Sequence, residues 1–265
     1  MIGEKTLELL KNILADSCYT VAVCGSGMME EGGILGLKQE GRAYEIEQRY
    51  SQSPEELFHI ACLSRKPERF YEFYREEILK KIPDKTPSVR ALARMEQEGK
   101  LQCMVTTNIF DLPEQVGCKN VIYLHGSIYK NRCPHCGRVY SMEKIRDTRG
   151  VPRCEDCGTM IRPGTSLYGE MVDSIIMSRT TEEIARADVL LVLGTSLRSE
   201  VYSNYIRYFQ GKKMVIVHRT PRPLDEKADM VIYDLPQNVL PLLVDGGIEA
   251  GEEIISGGRN PAAGF

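Results

Sequence analysis

Residues 19–27 read Tyr-Thr-Val-Ala-Val-Cys-Gly-Ser-Gly. A short apolar run that ends in closely spaced small residues reads as a buried strand entering a tight turn. The pattern recurs at residues 188–196, Asp-Val-Leu-Leu-Val-Leu-Gly-Thr-Ser. Further apolar runs place strands at 101–106, 121–123, 213–217 and 230–233. Between them lie segments with helical periodicity at 4–17, 54–61, 67–81, 87–97, 180–186 and 202–210, and a last short helix starts near 238. The Gly-rich stretch from 30 to 50 reads as a loop. Strands alternating with helices give an α/β fold with a Rossmann-like, mostly parallel sheet.

In open parallel sheets, ligands bind beyond the carboxyl ends of the strands. The turns Gly25-Ser26-Gly27 and Gly194-Thr195-Ser196 are therefore the candidate nucleotide positions. The first lacks the full dinucleotide fingerprint, because its third glycine is misplaced, and a plain tight turn reads the same way. The hydroxyls of Thr195 and Ser196 suit a phosphate or ribose, and equally the cap of a following helix. Asn108 and His125 each follow a strand. A His-Gly pair at a strand end is either a reactive group or an imidazole satisfied by a carbonyl.

Residues 127–165 break the alternation with four cysteines, several turns and little apolar periodicity. Cys133-x2-Cys136 and Cys154-x2-Cys157 form two knuckles whose spacing matches a tetrahedral zinc site. Four thiolates leave no open position, so one structural zinc is expected. The remaining five of nine cysteines (Cys18, Cys24, Cys62, Cys103, Cys118) are scattered and read as small apolar residues. The expected organisation is a discontinuous nucleotide-binding domain (1–126 and 166–245), a zinc-ribbon-like insert (127–165) and a loose Gly-rich tail (246–265).

The chain has 265 residues, a net charge of -3 and 27% charged residues. Its pI is about 5.9. No global field favours nucleic acid, and no direct nucleic-acid partner is expected. No run approaches the roughly 18 apolar residues of a membrane span, and the N-terminus has no signal-like apolar core, so the expected location is the cytoplasm.

The order of motifs carries further. A glycine turn, Thr106-Thr107-Asn108-Ile109, Leu124-His125-Gly126-Ser127, the paired CxxC knuckles, Tyr168-Gly169-Glu170-Met171, Gly194-Thr195-Ser196-Leu197 and Pro221-x-Pro223-Leu224-Asp225 follow one another. The chain thereby resembles the sirtuins, NAD-dependent protein deacylases, from about residue 5 to about 244. The resemblance implies NAD and an acyl-lysine protein or peptide in a cleft between the two parts. It implies transfer of the acyl group to ADP-ribose with release of nicotinamide. His125 would be the base toward the ribose hydroxyls, and Asn108 would order water and ribose. Gly25, Ser26, Gly27, Thr107, Asn108, Ile109, Phe110, Gly194, Thr195, Ser196 and His218 match cofactor positions.

The departures cluster. The family's Pro-Asp-Phe-Arg loop is Leu35-Gly36-Leu37-Lys38, and the aspartate that binds the nicotinamide carboxamide is Phe110, with Asp111 one place on. The family's ribose asparagine is His218, and the two valines before the family's Phe-Gly-Glu become Thr165-Ser166, which should alter how a peptide strand docks. ADP-ribosyl transfer, NAD hydrolysis and NAD or ADP-ribose binding without turnover are the alternative activities. At the two positions where one subgroup reads acidic acyl chains stand Tyr71 and Tyr74, so no acidic-acyl preference is expected. Phe110 has two possible settings: in the pocket, or in the core with Asp111 or a backbone group serving the carboxamide.

Overall fold

The computed structural model describes residues 2–195, 204–221 and 223–244. In chain order the described strands are β1 (Thr20–Cys24), β2 (Cys103–Thr106), β3 (Val121–Tyr123), β4 (Asn131–Arg132), β5 (Val139–Tyr140), β6 (Val189–Leu193), β7 (Lys213–Val217) and β8 (Met230–Ile232). Six form one sheet, in the order β3-β2-β1-β6-β7-β8. Every pairing in it is parallel. With the small β4-β5 ribbon set aside, this is the Rossmann order 3-2-1-4-5-6, and it reverses between β1 and β6.

The uniformly apolar runs seen in the sequence have their cause in this sheet. Neighbouring residues of a strand point to opposite faces. Ala22, Cys24, Leu191 and Leu193 enter the core shared with most of the helices. Val21, Val23, Leu190 and Val192 enter a second core against Ile184, Tyr205 and Ile206. Both faces are covered, so neither parity can be polar.

The described helices are α1 (Glu4–Ala15), α2 (Gly27–Glu30), α3 (Glu40–Tyr50), α4 (Pro54–Leu57), α5 (Ile60–Arg65), α6 (Pro67–Tyr74), α7 (Pro87–Gln97), α8 (Leu112–Gln115), α9 (Met142–Asp147), α10 (Ser174–Arg186) and α11 (Pro236–Val239). No described helix is long and apolar enough to cross a membrane.

Four expectations change. The stretch 30–50 is largely helical rather than a loop. The buried stripe of α3 is Arg42, Ile46 and Tyr50, and an arginine at its first place hides the apolar period. The helix expected over 54–61 is broken, because His59 turns extended and the chain pairs with Tyr168. The Ile60 N–H donates to the Tyr168 carbonyl at 3.0 Å, and the Tyr168 N–H to the Phe58 carbonyl at 3.0 Å. The helix from Pro67 ends in a π-turn, Arg75–Leu79, that carries Glu77 inward to Arg49 at 3.2 Å and Lys81 at 2.5 Å. Finally, α10 begins at Ser174 rather than near 180. The Asp173 carboxylate caps it, accepting from Ile175 N–H at 2.8 Å, while its first turns expose Ile175 and Met177 and so show no core-facing stripe. Of the helix expected at 202–210, residues 204–206 are helical, and residues 202 and 203 lie outside the described residues. The tail 246–265 also lies outside them.

The chain between β3 and α10 is tied to the main body by side chains of α6 and the π-turn. The Tyr71 hydroxyl donates to the Ile161 carbonyl. Arg75 donates to the Gly150 carbonyl at 2.9 Å. Tyr71 and Tyr74 are fully buried, so both serve packing.

Candidate active site at the strand ends

Register alone assembles the site. Cys24 pairs with Thr106 and with Leu193, Thr106 with Tyr123, and Leu193 with Val217. Those five residues form one row across the sheet. One or two residues beyond it, at the carboxyl ends, stand Gly25, Asn108, His125, Gly194 and His218, with Ser26, Gly27, Thr107 and Thr195 beside them. Ser196 lies outside the described residues. Hydroxyl, amide and imidazole groups on one edge are the donor set that ribose and phosphate oxygens require, so the edge fits a dinucleotide.

The two glycine turns are packed on each other. The Gly25 N–H donates to the Leu193 carbonyl at 2.9 Å, and the Gly27 N–H to the Gly194 carbonyl at 2.8 Å. A Cβ on Gly25 would overlap Thr195, and one on Gly27 would sit 2.6 Å from the Gly194 oxygen. Gly194 itself has φ of 56°. The glycines are thus needed for the close approach of two strands' turns. The Gly25 and Gly27 N–H groups thereby tie the first turn to the backbone of the second.

Beyond β2 the backbone is held by short side chains. Thr106 Oγ1 accepts the Asn108 N–H at 3.0 Å, and Asn108 Oδ1 accepts the Phe110 N–H at 2.8 Å. Asn108 is buried with its oxygen taken, so its amide NH2 is the end that can serve a ligand. The Ile109 carbonyl accepts the Ile128 N–H at 2.9 Å, which fixes this turn to the segment after His125. The Phe110 ring lies in the main core, 4% exposed. Of the two settings open in the sequence, the core is the one found.

Phe110→Asp is accordingly expected to destabilise the fold by about 3–5 kcal/mol, from the lost ring and the buried charge. A lowered melting temperature checks this; an unchanged or raised one would contradict it.

Asp111, the carboxylate one place beyond the displaced aspartate position, is unusual in three ways. Its φ is 51°, left-handed for a non-glycine residue. It is 5% exposed, with Oδ2 accepting from Ser127 Oγ at 2.6 Å. Its Oδ1 is buried without a protein partner among the described residues. Burial pushes this carboxyl up from its ordinary value, against the Ser127 hydrogen bond and the Lys130 charge, which lower it. A raised carboxylate penalises the folded state above its folded pKa, and the penalty disappears as pH falls through that value to below the unfolded one. Asp111→Asn should therefore stabilise the protein at pH 7, by part of the roughly 1–3 kcal/mol that an unpaired buried group costs. Thermal melts of the two proteins at pH 7 and pH 5 test this, with the difference shrinking at the lower pH.

His125 is half-buried, and burial lowers its imidazole below the usual value, partly opposed by a hydrogen bond with the Leu124 backbone. Its carbonyl accepts the Ser166 N–H at 2.9 Å. Gly126, at φ 68°, lets residues 164–166 lie flat against this turn. His218 is buried, with Nε2 at 2.9 Å from Asp225 Oδ1, and its ring stacks on Tyr233, whose hydroxyl donates to Asp225 at 3.0 Å. That trio could not be foreseen, since no spacing links its members. The altered loop has its own clamp. The buried Arg42 guanidinium donates to the Leu35 carbonyl and, at 2.5 Å, to the Glu77 carbonyl. Lys38 lies over the Tyr168 ring at 4.7 Å.

The four cysteines of the insert converge, with all four Sγ atoms within 4.8 Å of one another. Three of the Sγ–Sγ edges measure 3.4 Å (Cys133–Cys157), 3.5 Å (Cys136–Cys154) and 3.9 Å (Cys136–Cys157). A zinc tetrahedron with 2.3 Å bonds has edges of about 3.8 Å, so the cluster fits one structural zinc. The two knuckles are built alike. Gly137 N–H donates to the Cys133 carbonyl at 3.0 Å, and Gly158 N–H to the Cys154 carbonyl at 2.9 Å. Both glycines have positive φ, 77° and 70°. Tyr140 donates to Cys154 Sγ at 3.1 Å, and that bond leads the causes holding the Cys154 thiol down to about 6.

Fold and site together define a Rossmann-type protein with a four-cysteine module inserted after its third strand. The Sir2 family model matches residues 25–202. An NAD-dependent protein deacetylase of Clostridium acetobutylicum is 35% identical over 236 residues, covering 89% of this chain and 96% of that protein. A Sir2 homologue solved in complex with NAD superposes with a TM-score of 0.77 at 29% identity, over 89% of this chain and 91% of that one. Sir2Tm bound to a propionylated peptide does so with a TM-score of 0.74 at 26% identity, over 88% and 95%. The chain belongs to the Sir2 family.

Proposed function

We propose that this protein is an NAD-dependent protein lysine deacylase that transfers the acyl group of a modified lysine to ADP-ribose and releases nicotinamide. The observation that carries the reading is the single row of strand ends that brings Asn108, His125, the two glycine turns and His218 to one edge. The relatives named above support it. We assign residues 1–126 and 166–245 to the cofactor-binding part and 127–165 to the metal module. The five cysteines outside the metal cluster carry free thiols, which suits a reducing compartment and supports the cytoplasm.

When bound, NAD supplies a ribose carbon made electrophilic by its nicotinamide leaving group. Gly25, Ser26, Gly27, Gly194, Thr195 and Ser196 hold the phosphates and the adenine half, with His218 toward its ribose. Thr107, Asn108 and Ile109 line the nicotinamide half. Asn108 donates through its amide nitrogen, since its oxygen is fixed on Phe110 N–H. Phe110 packs beneath this turn and offers no acceptor. Asp111 Oδ1, the nearest carboxylate oxygen in sequence without a partner, takes the carboxamide N–H in its place. His125, kept neutral by burial, accepts a proton from a ribose hydroxyl.

Incubation with NAD and a panel of acyl-lysine peptides tests the proposal. Nicotinamide and deacylated peptide should appear in equal amounts. ADP-ribose with unchanged peptide would replace deacylation by NAD hydrolysis. ADP-ribose binding with neither product would leave a nucleotide-binding module.

A further inference from the structure

A groove of about 560 Å³ runs beside the site and shares Tyr123, Gly126 and residues 164–166 with its edge. Val121, Ile122 and Tyr123 all line it. Three successive strand residues cannot share a cavity through side chains that alternate between faces. What they share is the outer backbone edge of β3, which is the edge strand of the sheet. The Tyr123 carbonyl takes the Gly126 N–H at 3.3 Å, and the rest of this edge can pair with an extended polypeptide, through the backbone for affinity and alternate side chains for choice.

The walls give the choice. Lys130, Arg132, Arg162 and Arg179 line the groove, against one acidic side chain, Asp173. The Asp173 carboxylate already caps α10. Lys130 pairs with Glu114 at 3.0 Å, and Arg162 with Glu170 at 2.6 Å. Arg179 donates to the neutral Asn120 Oδ1 at 2.6 Å. Among the described residues neither Arg132 nor Arg179 forms an ion pair, and both are exposed. The groove therefore carries two guanidinium charges without local compensation, over a floor that includes Ile175 and Ile176.

The groove also adjoins the proposed base. Gly126, Thr165 and Ser166 line it, and these residues flank His125 along the chain and through the Ser166 N–H bond to its carbonyl.

We propose that this groove takes an extended acidic segment of the acylated substrate polypeptide along β3, with its carboxylates on Arg132 and Arg179. The substrate class is then acyl-lysine proteins with Asp or Glu flanking the modified lysine. This rests on the deacylase reading for the identity of the polypeptide as substrate. A small anion is a poorer occupant, because it would leave the strand edge and the apolar floor unused.

The test uses the full chain and three labelled peptides with the same acyl-lysine, flanked by Asp and Glu, by Asn and Gln, or by Lys. Binding is read by fluorescence anisotropy, and turnover by product mass. The acidic peptide is expected to bind roughly three- to tenfold tighter than its amide twin at low salt, with the gap closing at high salt, as exposed ion pairs do. Arg132→Gln and Arg179→Gln, both at exposed positions, should each narrow the ratio. Arg132→Glu with Arg179→Glu should invert it toward the Lys-flanked peptide. Equal binding of the acidic and amide peptides, no measurable binding of any peptide, or an acidic preference that survives the double reversal would overturn the proposal. Anisotropy needs no turnover, so the two readings fail separately. Acidic preference without nicotinamide release sinks the deacylase, and equal turnover of all three peptides sinks only the groove.

Discussion

Cys154→Ala is expected to yield a protein without zinc whose inserted module is unfolded. The module's own secondary structure is small: β4 and β5 have two residues each and α9 has six. Its apolar contribution is a handful of side chains, among them Ile128, Tyr140, Ile145 and Ile161. Structural zinc in small modules is worth about 10–16 kcal/mol of binding free energy, which there is folding free energy. A whole domain has only about 5–15 kcal/mol to lose. Removing one of four thiolates therefore outweighs what those few contacts supply. Cys154 is also bonded by the Tyr140 hydroxyl, which in turn accepts the Glu155 N–H at 2.9 Å, so the second knuckle loses its anchor as well. The damage should spread. Tyr71 and Arg75 lose carbonyl acceptors in the module, and the 164–166 segment loses its support against Gly126. Elemental analysis should find zinc near one per chain in the native protein and none in the variant, with rapid proteolysis inside 127–165. Cys18→Ala, at an exposed thiol outside the cluster, should retain the metal. A native protein without zinc, or a Cys154→Ala protein as protease-resistant as the native one, would show that the module holds itself together.

What the sequence made legible is what local chemistry decides. The strands at 19–24 and 188–193 were readable because burial on both faces removes polar alternation, and the sheet bears this out. The CxxC knuckles were readable because two intervening residues let two sulfurs reach one ion. The features that escaped are set by long-range contacts. His59 leaves its helix to pair with Tyr168, 109 positions away by their numbers. Arg42 occupies a core-facing helix position because carbonyls of Leu35 and Glu77 satisfy its guanidinium. Asp111 is anomalous only once its left-handed backbone and its orphaned oxygen are seen together. The charge of the groove depends on arginines from two separate segments, 132 and 162 on one side and 179 on the other, in a chain whose net charge is negative. A global composition cannot report such a patch.

His125→Ala should lower deacylation by roughly two to four decades, the range for a lost general base, while ADP-ribose binding is retained. The position suits the proposed role. His125 follows β3 where the sheet row ends, Ser166 holds its backbone at 2.9 Å, and Gly126 makes the sharp turn that a side chain would block. Asn108 reaches the same edge from the neighbouring strand, two residues past Thr106, which pairs with Tyr123. Burial gives the expected pH dependence. It lowers the imidazole below its ordinary value, so the neutral form that accepts a proton persists through pH 7. The acid limb of kcat/KM should then fall below about pH 6.5, the unperturbed imidazole value. His125→Ala should flatten that limb. Two outcomes would remove His125 from the chemistry: near-native turnover in the variant, or an unchanged acid limb in whatever activity remains. Loss of ADP-ribose binding along with turnover would instead mark His125 as part of the scaffold of the strand-end row.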